Sequence, residues 1–229
     1  MIEDLSKWTA RKAPARGVLE GRYVRLEPLD PLAHGDGLYE ACHVADADQR
    51  FRWLFEEPPV SRDGFQLWLE KAAASADPLF FAVIDRASGK VGGRQALMRI
   101  DTVHGVAEIG SIYWGPDVAR TRLATEAVYL SAQLLFGTLD YRRFEWKCNN
   151  QNEPSKRAAE RFGFHYEGLF RQHMVVKGEN RDTAWYAILD HEWPVLARAY
   201  EAWLSPENFD AEGRQLKPLA QFQKDMKSA

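Results

Sequence analysis

Residues 106–127, VAEIGSIYWGPDVARTRLATEA, decide the reading of this chain. Val106–Trp114 is apolar and strand-like, and Gly115-Pro116 ends it. A loop carrying Arg120 and Arg122 follows. A helix then opens, with Leu123, Ala127, Leu130 and Leu134 at helical spacing to about Phe136 and Gly137 as its stop. A strand, a basic loop and a helix N-terminus in that order make an anion site. Free backbone N–H groups and the positive end of the helix dipole converge there, and a pyrophosphate is the natural ligand.

Outward from this stretch the elements fall into place. Residues 22–28 alternate Tyr23 and Arg25 against Val24 and Leu26, as a strand does. Residues 31 to about 45 read as a helix started near Asp30. A second helix opens at Ser61-Arg62-Asp63, carries Phe65, Leu67, Trp68 and Leu69, and stops at Asp77-Pro78. Residues 79–85 and 91–100 are strands joined by a turn at 86–90, and His104-Gly105 turns the chain into the strand at 106–114. Residues 144–148 form a strand, 153–162 a short helix with Pro154 in its first turn, and 164–176 and 182–189 the last two strands. A helix over 193–204 follows. The order βααβββαβαββ predicts an α+β fold: a mixed, mostly antiparallel sheet of six to seven strands flanked by helices, with a C-terminal helical extension. The expected organisation is an N-terminal arm at 1–20, one domain at 21–193, and a helix with a polar tail, extended or mobile, at 194–229.

Composition narrows the function. The chain has 229 residues, 45% hydrophobic and 28% charged, which suits a globular domain with an extension. Its net charge of −3 gives no global attraction to nucleic acid or an anionic membrane, so neither is an expected partner. Eight Trp allow a buried substrate or subunit surface, and a homodimer stays open. Cys42 and Cys148 lie far apart without C-x-x-C spacing, as reduced thiols do. With no signal-peptide core at the N-terminus and no apolar run near ~20 residues, the expected location is cytoplasmic. The six His show no H-x-x-x-H pairing, so no metal is expected.

Four patches together resemble the GNAT superfamily of N-acetyltransferases, within it the ribosomal-protein N-terminal (RimJ/RimL-like) branch. The resemblance covers about residues 21–193. The first patch, Ala119-Arg-Thr-Arg-Leu-Ala124 followed by Thr125-Glu126-Ala127, matches the pattern Gln/Arg-x-x-Gly-x-Gly/Ala at its last position. It departs at Ala119 and at Arg122, where the family has Gly. An Arg there offers a charged side chain in place of close backbone approach. The second, Asn152-Glu-Pro-Ser155 with Arg157-Ala-Ala-Glu-Arg-Phe-Gly-Phe164, resembles N-x-x-S followed by a helix and Phe-Gly-Phe. The third is Glu108 on the strand before the phosphate loop. The fourth, Glu167-Gly-Leu-Phe-Arg171-Gln-His173, resembles the E-G-x-x-R that starts the last hairpin.

The resemblance implies acetyl-CoA as cosubstrate and direct transfer of its acetyl group to a primary amine. By that resemblance Ile112, Tyr113 and Trp114 would hold the pantetheine arm, Arg120, Thr121, Arg122, Leu123, Ala124 and Thr125 the pyrophosphate region, and Asn152 the arm's amide. Glu108 would be general base, with Glu145 and Glu167 as rivals, and Ser155 would lie at the thiol. Strand alternation is expected to put Glu108, Gly110 and Ile112 on one face. Two other readings are a non-catalytic CoA-binding or partner-binding module and a cysteine enzyme built on Cys148. The acceptor, a protein N-terminus or a small amine, has no readable code; Arg52, Trp53, Phe55 and Trp68 are candidates for its pocket.

Overall fold

Alternating and continuous apolar runs give the strands, and short polar side chains start the helices. The structure, a computed structural model, describes residues 4–227; residues 1–3 of the expected arm and 228–229 of the expected tail lie outside the described residues. The strands are β1 (Leu19–Glu20), β2 (Val24–Pro28), β3 (Leu79–Asp85), β4 (Val91–Asp101), β5 (Val106–Trp114), β6 (Arg143–Asn149), β7 (His165–Val176) and β8 (Glu179–Leu189). The helices are α1 (Pro31–Cys42), α2 (Ala47–Phe51), α3 (Arg62–Ala74), α4 (Arg122–Ala132), α5 (Glu153–Arg161), α6 (Trp193–Trp203) and α7 (Leu219–Lys227). A π-helical turn, Gln133–Thr138, prolongs α4.

The sheet has eight strands in the order β1-β2-β3-β4-β5-β6-β8-β7. Every pairing is antiparallel except β5 with β6. The two-residue β1 takes it one strand beyond the expected six to seven. On one face Leu38, Phe65, Leu69, Phe80 and Tyr113 pack under α1 and α3. On the other, Phe81, Ile109, Val128, Leu135, Phe144 and Tyr200 pack under α4 and α6. Each such side chain contributes roughly 1.5–3 kcal/mol on burial. Asp30 Oδ1 accepts from Leu32 and Ala33 N–H at the start of α1, and Ser61 Oγ from Gly64 N–H at the start of α3.

Two segments differ from expectation. The short α2 lies where no element was read. The tail is not a simple extended segment: α7 packs against α6, Leu219 is buried, and Gln223 Nε2 donates to Arg161 O at 3.1 Å. The N-terminal segment is pinned beneath the β4–β5 turn, where Trp8 Nε1 donates to Val103 O at 2.8 Å and the Arg11 guanidinium stacks over Trp8.

Two β-bulges shape the face that matters. Between Ala96↔Gly110 and Arg94↔Tyr113, one β4 residue opposes Ser111 and Ile112, and Ser111 sits in the left-handed region at φ 49°. A bulge shifts the alternation by one. Ile112 therefore packs with the α4-side core, while Tyr113 joins the α1–α3 side. The expectation that Ile112 shares a face with Glu108 and Gly110 is corrected by this bulge. The second lies at Arg99 and Ile100, whose N–H groups donate to the Asp77 carboxylate, with Arg99 at φ 50°.

Candidate active site

The sheet opens at one place. β5 and β6 pair from Val106↔Arg143 to Ile109↔Trp146 and then part. Tyr113 and Trp114 stay with β4, and Cys148 and Asn149 stay with β8. The edge of residues 110–114 facing β6 thus has no ladder partner there, which leaves backbone groups for an extended ligand. Trp114 meets Phe162 edge-on at 6.1 Å between centroids, and Phe162 meets Trp146 at 5.9 Å, so aromatic rings line this opening.

The loop and helix read as an anion site stand beside it. Arg120 adopts φ 64° and is exposed, Thr121 is the N-cap of α4, and its Oγ1 accepts from Leu123 N–H at 3.1 Å. The other N–H groups of that first turn have no carbonyl four residues back within the helix. The Arg122 guanidinium lies 4.2 Å from the Tyr23 ring centroid and 5.3 Å from that of Phe209, in a hollow that also holds Arg22 and Arg86. Leu123 and Ala124 are buried. Thr125 is fully enclosed and its hydroxyl accepts from Arg161 Nη1 at 3.0 Å. The neighbouring Glu126, given no role from sequence, is an anchor: its carboxylate accepts from the N–H groups of Arg22, Tyr23 and Val24 at 2.6–2.7 Å. Gly21 is needed beside it, since a Cβ there would fall 2.5 Å from that carboxylate.

The three candidate bases belong to one alternating ladder of charge across β4, β5, β6 and β7. Glu108, 3% exposed, binds Arg99 Nη1 at 2.8 Å and Lys147 Nζ at 3.0 Å, both through Oε2. Lys147 Nζ also reaches Glu145 Oε2 at 2.6 Å and sits 3.8 Å from the Trp185 ring centroid. Glu145 Oε1 binds Arg143 Nε at 2.7 Å, and Arg143 grips Glu167. The environments separate the rivals. Burial pushes the Glu108 carboxyl above its ordinary value, against the pull of Lys147 and Arg99. The Arg143 hydrogen bond holds Glu167 below its ordinary value, which makes it the poorer base. The Arg99 and Lys147 contacts both go to Oε2, and Glu108 Oε1 faces Gly110, where a Cβ would lie 3.3 Å from it and 2.4 Å from Met98 Sδ. Sequence alone gives Lys147 and Arg99 no role at Glu108, because only the strand register brings them to it.

On the β6 side, Asn152 caps α5: its Oδ1 accepts from Ser155 N–H at 3.2 Å. The Ser155 hydroxyl is not spent on that cap. It accepts from Trp146 Nε1 at 3.0 Å and lies beside the Cys148 sulfur, toward which its own proton is available for donation. Burial raises the Cys148 thiol above its ordinary value, and thiolate is the form that attacks. That environment argues against the Cys148 reading. His173 Nδ1 lies 2.9 Å from Thr183 Oγ1, and its ring packs edge-on against Phe170.

On the α1–α3 side, the face of Glu108, lies a hollow of about 240 Å³ lined by Phe51, Val60, Phe65, Trp68, Glu56 and Arg94 among others. Among the described residues no group of three or more His, Cys, Asp or Glu could hold a metal, and no helix is long and apolar enough to cross a membrane.

Comparison with known proteins agrees with this geometry. Residues 24–165 match the Acetyltransferase (GNAT) domain family. The crystal structure of a GCN5-related N-acetyltransferase from Brucella melitensis is 63% identical, with a TM-score of 0.95, covering 96% of this chain and 100% of that one. An uncharacterized N-acetyltransferase of Bacillus licheniformis, p20, is 30% identical over 117 residues, 49% of this chain and 63% of p20. YdaF of Bacillus subtilis, provisionally named a ribosomal N-acetyltransferase, is 31% identical over 106 residues, 46% of this chain and 57% of YdaF. The aligned regions thus span less than two thirds of the length of either Bacillus protein.

Proposed function

The chain belongs to the GNAT acetyltransferase family, and we propose that it moves an acetyl group from acetyl-CoA directly to a primary amine. The observation that carries this reading is the parting of β5 from β6 beside the Ser111 bulge, with a helix N-terminus at its mouth and a buried carboxylate on its far face. The residues suit acetyl-CoA: first-turn N–H groups for the pyrophosphate, an unpaired strand edge for the pantetheine amides, and Asn152 beside the opening. Acetyl-CoA supplies the thioester carbonyl that is attacked and the thiolate that leaves. Backbone N–H groups of residues 110–114 polarise that carbonyl. Glu108 Oε1 takes the proton of the attacking ammonium, directly or through water, so that a lone pair is available as the C–N bond forms and the C–S bond breaks. The Ser155 hydroxyl, polarised by the Trp146 indole, hydrogen-bonds the departing sulfur. The name given to YdaF supports a protein N-terminus as one acceptor class, within the RimJ/RimL-like branch. The deciding experiment is release of free CoA, followed with a thiol reagent, on mixing the protein with acetyl-CoA and a panel of amines and N-terminal peptides; no amine-dependent release would overturn the reading in favour of a CoA-binding module.

Two outcomes are expected of the binding residues. Arg122→Ala should weaken acetyl-CoA binding roughly tenfold, the effect of losing one charge-assisted contact. Unchanged affinity by calorimetry would assign the phosphates to backbone N–H groups alone and leave Arg122 to Tyr23 and Phe209. Ser155→Ala should lower kcat by about tenfold, less than loss of the base, because a hydroxyl is a weaker acid than a thiol and serves only as relay or hydrogen-bond donor. Asn152→Ala should instead raise the KM for acetyl-CoA. A Ser155→Ala enzyme with unaltered kcat would restrict Ser155 to its contacts with Trp146 and Cys148.

A further inference from the structure

The hollow on the Glu108 face has an unusual floor. Arg94 is 2% exposed, and its guanidinium stacks 4.4 Å from the Trp68 ring centroid. Its Nη1 donates to Ser111 O at 2.5 Å and to Ser111 Oγ at 2.8 Å, and its Nη2 pairs with Glu56. A buried guanidinium without a counter-charge is costly, so Glu56, reaching in from the loop between α2 and α3, neutralises the floor from within the chain. That loop is anchored a second time. Lys177, at the tip of the β7–β8 hairpin, donates to Phe51 O at 3.1 Å and pairs with Glu57 at 3.0 Å. The hollow is therefore preformed. What it presents to a ligand is the apolar surface of Phe51, Pro58, Val60, Phe65 and Trp68, under a rim of carboxylates.

Resting on the acetyl-transfer reading, we infer that this hollow selects amines bearing an uncharged aromatic or branched apolar group, and that Glu56 sets the selection by masking Arg94. At about 240 Å³ the space is below the size of most whole-ligand pockets and suits one side-chain-sized group. Its floor touches Ser111, three residues along β5 from Glu108, so at roughly 3.3 Å per extended residue, shortened by the bulge, the hollow and the base lie within about 10 Å of each other along the strand. Carboxylate-bearing acceptors are disfavoured because Arg94 is already paired with Glu56 and offers them no free cation.

The test compares phenylalkylamines of graded spacer length with amino acids of the same length that end in a carboxylate. Calorimetric binding in the presence of CoA and turnover with acetyl-CoA are both read. The expected result is tighter binding and about tenfold higher kcat/KM for the phenyl series, the gain of burying one ring. Glu56→Gln, which keeps a hydrogen-bonding group but unmasks the cation, should narrow that ratio by about tenfold or invert it. Trp68→Ala should weaken the phenyl series alone. Equal or better binding of the carboxylate series by the unmodified protein, an unchanged ratio in Glu56→Gln, or no binding of either series each overturns the inference. Selective binding without acetyl transfer would sustain it while refuting the enzymatic reading. Transfer without selectivity would do the reverse.

Discussion

Glu108→Gln is expected to lower kcat by about 10²–10⁴, the range for one acid–base group, while acetyl-CoA affinity holds. The substitution keeps the size of the side chain but replaces a basic carboxylate by an amide, whose oxygen accepts hydrogen bonds but is far too weak a base to take the proton. The environment makes the loss specific to Glu108. Burial raises its carboxyl above the ordinary value, whereas the Arg143 hydrogen bond lowers that of Glu167. In the unmodified enzyme the rate falls as pH drops through the Glu108 titration, since the protonated acid cannot act as base. In Glu108→Gln that acid limb should vanish. Glu145→Gln is the control: its carboxylate is clasped by Arg143 and Lys147 through separate oxygens, so it should retain most of the activity. A surviving acid limb in Glu108→Gln, or a loss of equal size in Glu145→Gln, would move the base to another rung of the ladder.

How far this site could be read from sequence depends on what kind of interaction makes each part. β3 and β5 were expected at the bounds they occupy, because their apolar runs end in unmistakable turn residues. Asp30, Ser61, Thr121 and Asn152 sit at helix starts for the local reason that a short side chain reaches N–H groups two or three residues on. The Ser111 bulge was not legible, since it is a mismatch between two strands and its cause lies partly in β4. Its consequence, turning Ile112 away from Glu108, was missed with it. The ladder was illegible for the same reason: Arg99, Glu108, Lys147, Glu145 and Arg143 meet only through the pairing of β4, β5 and β6. Glu126 was noticed as part of a motif, but the three amides it holds belong to residues some hundred positions earlier. α7 was masked by polarity, its apolar side resting chiefly on Leu219 and Phe222.

Replacing Lys147 tests whether the ladder tunes the base. Lys147 is nearly enclosed between two carboxylates and the face of Trp185. Lys147→Met preserves most of the volume and the contact with Trp185 but leaves Glu108 and Glu145 short of a cation. Breaking a buried pair in this way typically costs about 3–5 kcal/mol. The loss should depend on pH, with a definite sign. A carboxyl whose folded pKa lies above its unfolded value keeps its proton longer in the folded state, so stability falls as pH rises from the unfolded to the folded pKa and then levels. Burial already sets Glu108 in that direction, and Lys147 is the largest counterweight. Its removal widens the window upward, so denaturant midpoints for Lys147→Met should approach those of the unmodified protein in acid and separate from them toward neutral pH. The same shift should carry the acid limb of kcat to higher pH, and Lys147→Arg should restore most of both effects. A midpoint difference that is constant with pH, or an acid limb that does not move, would make Lys147 a packing residue under Trp185 and leave Arg99 as the cation that governs Glu108.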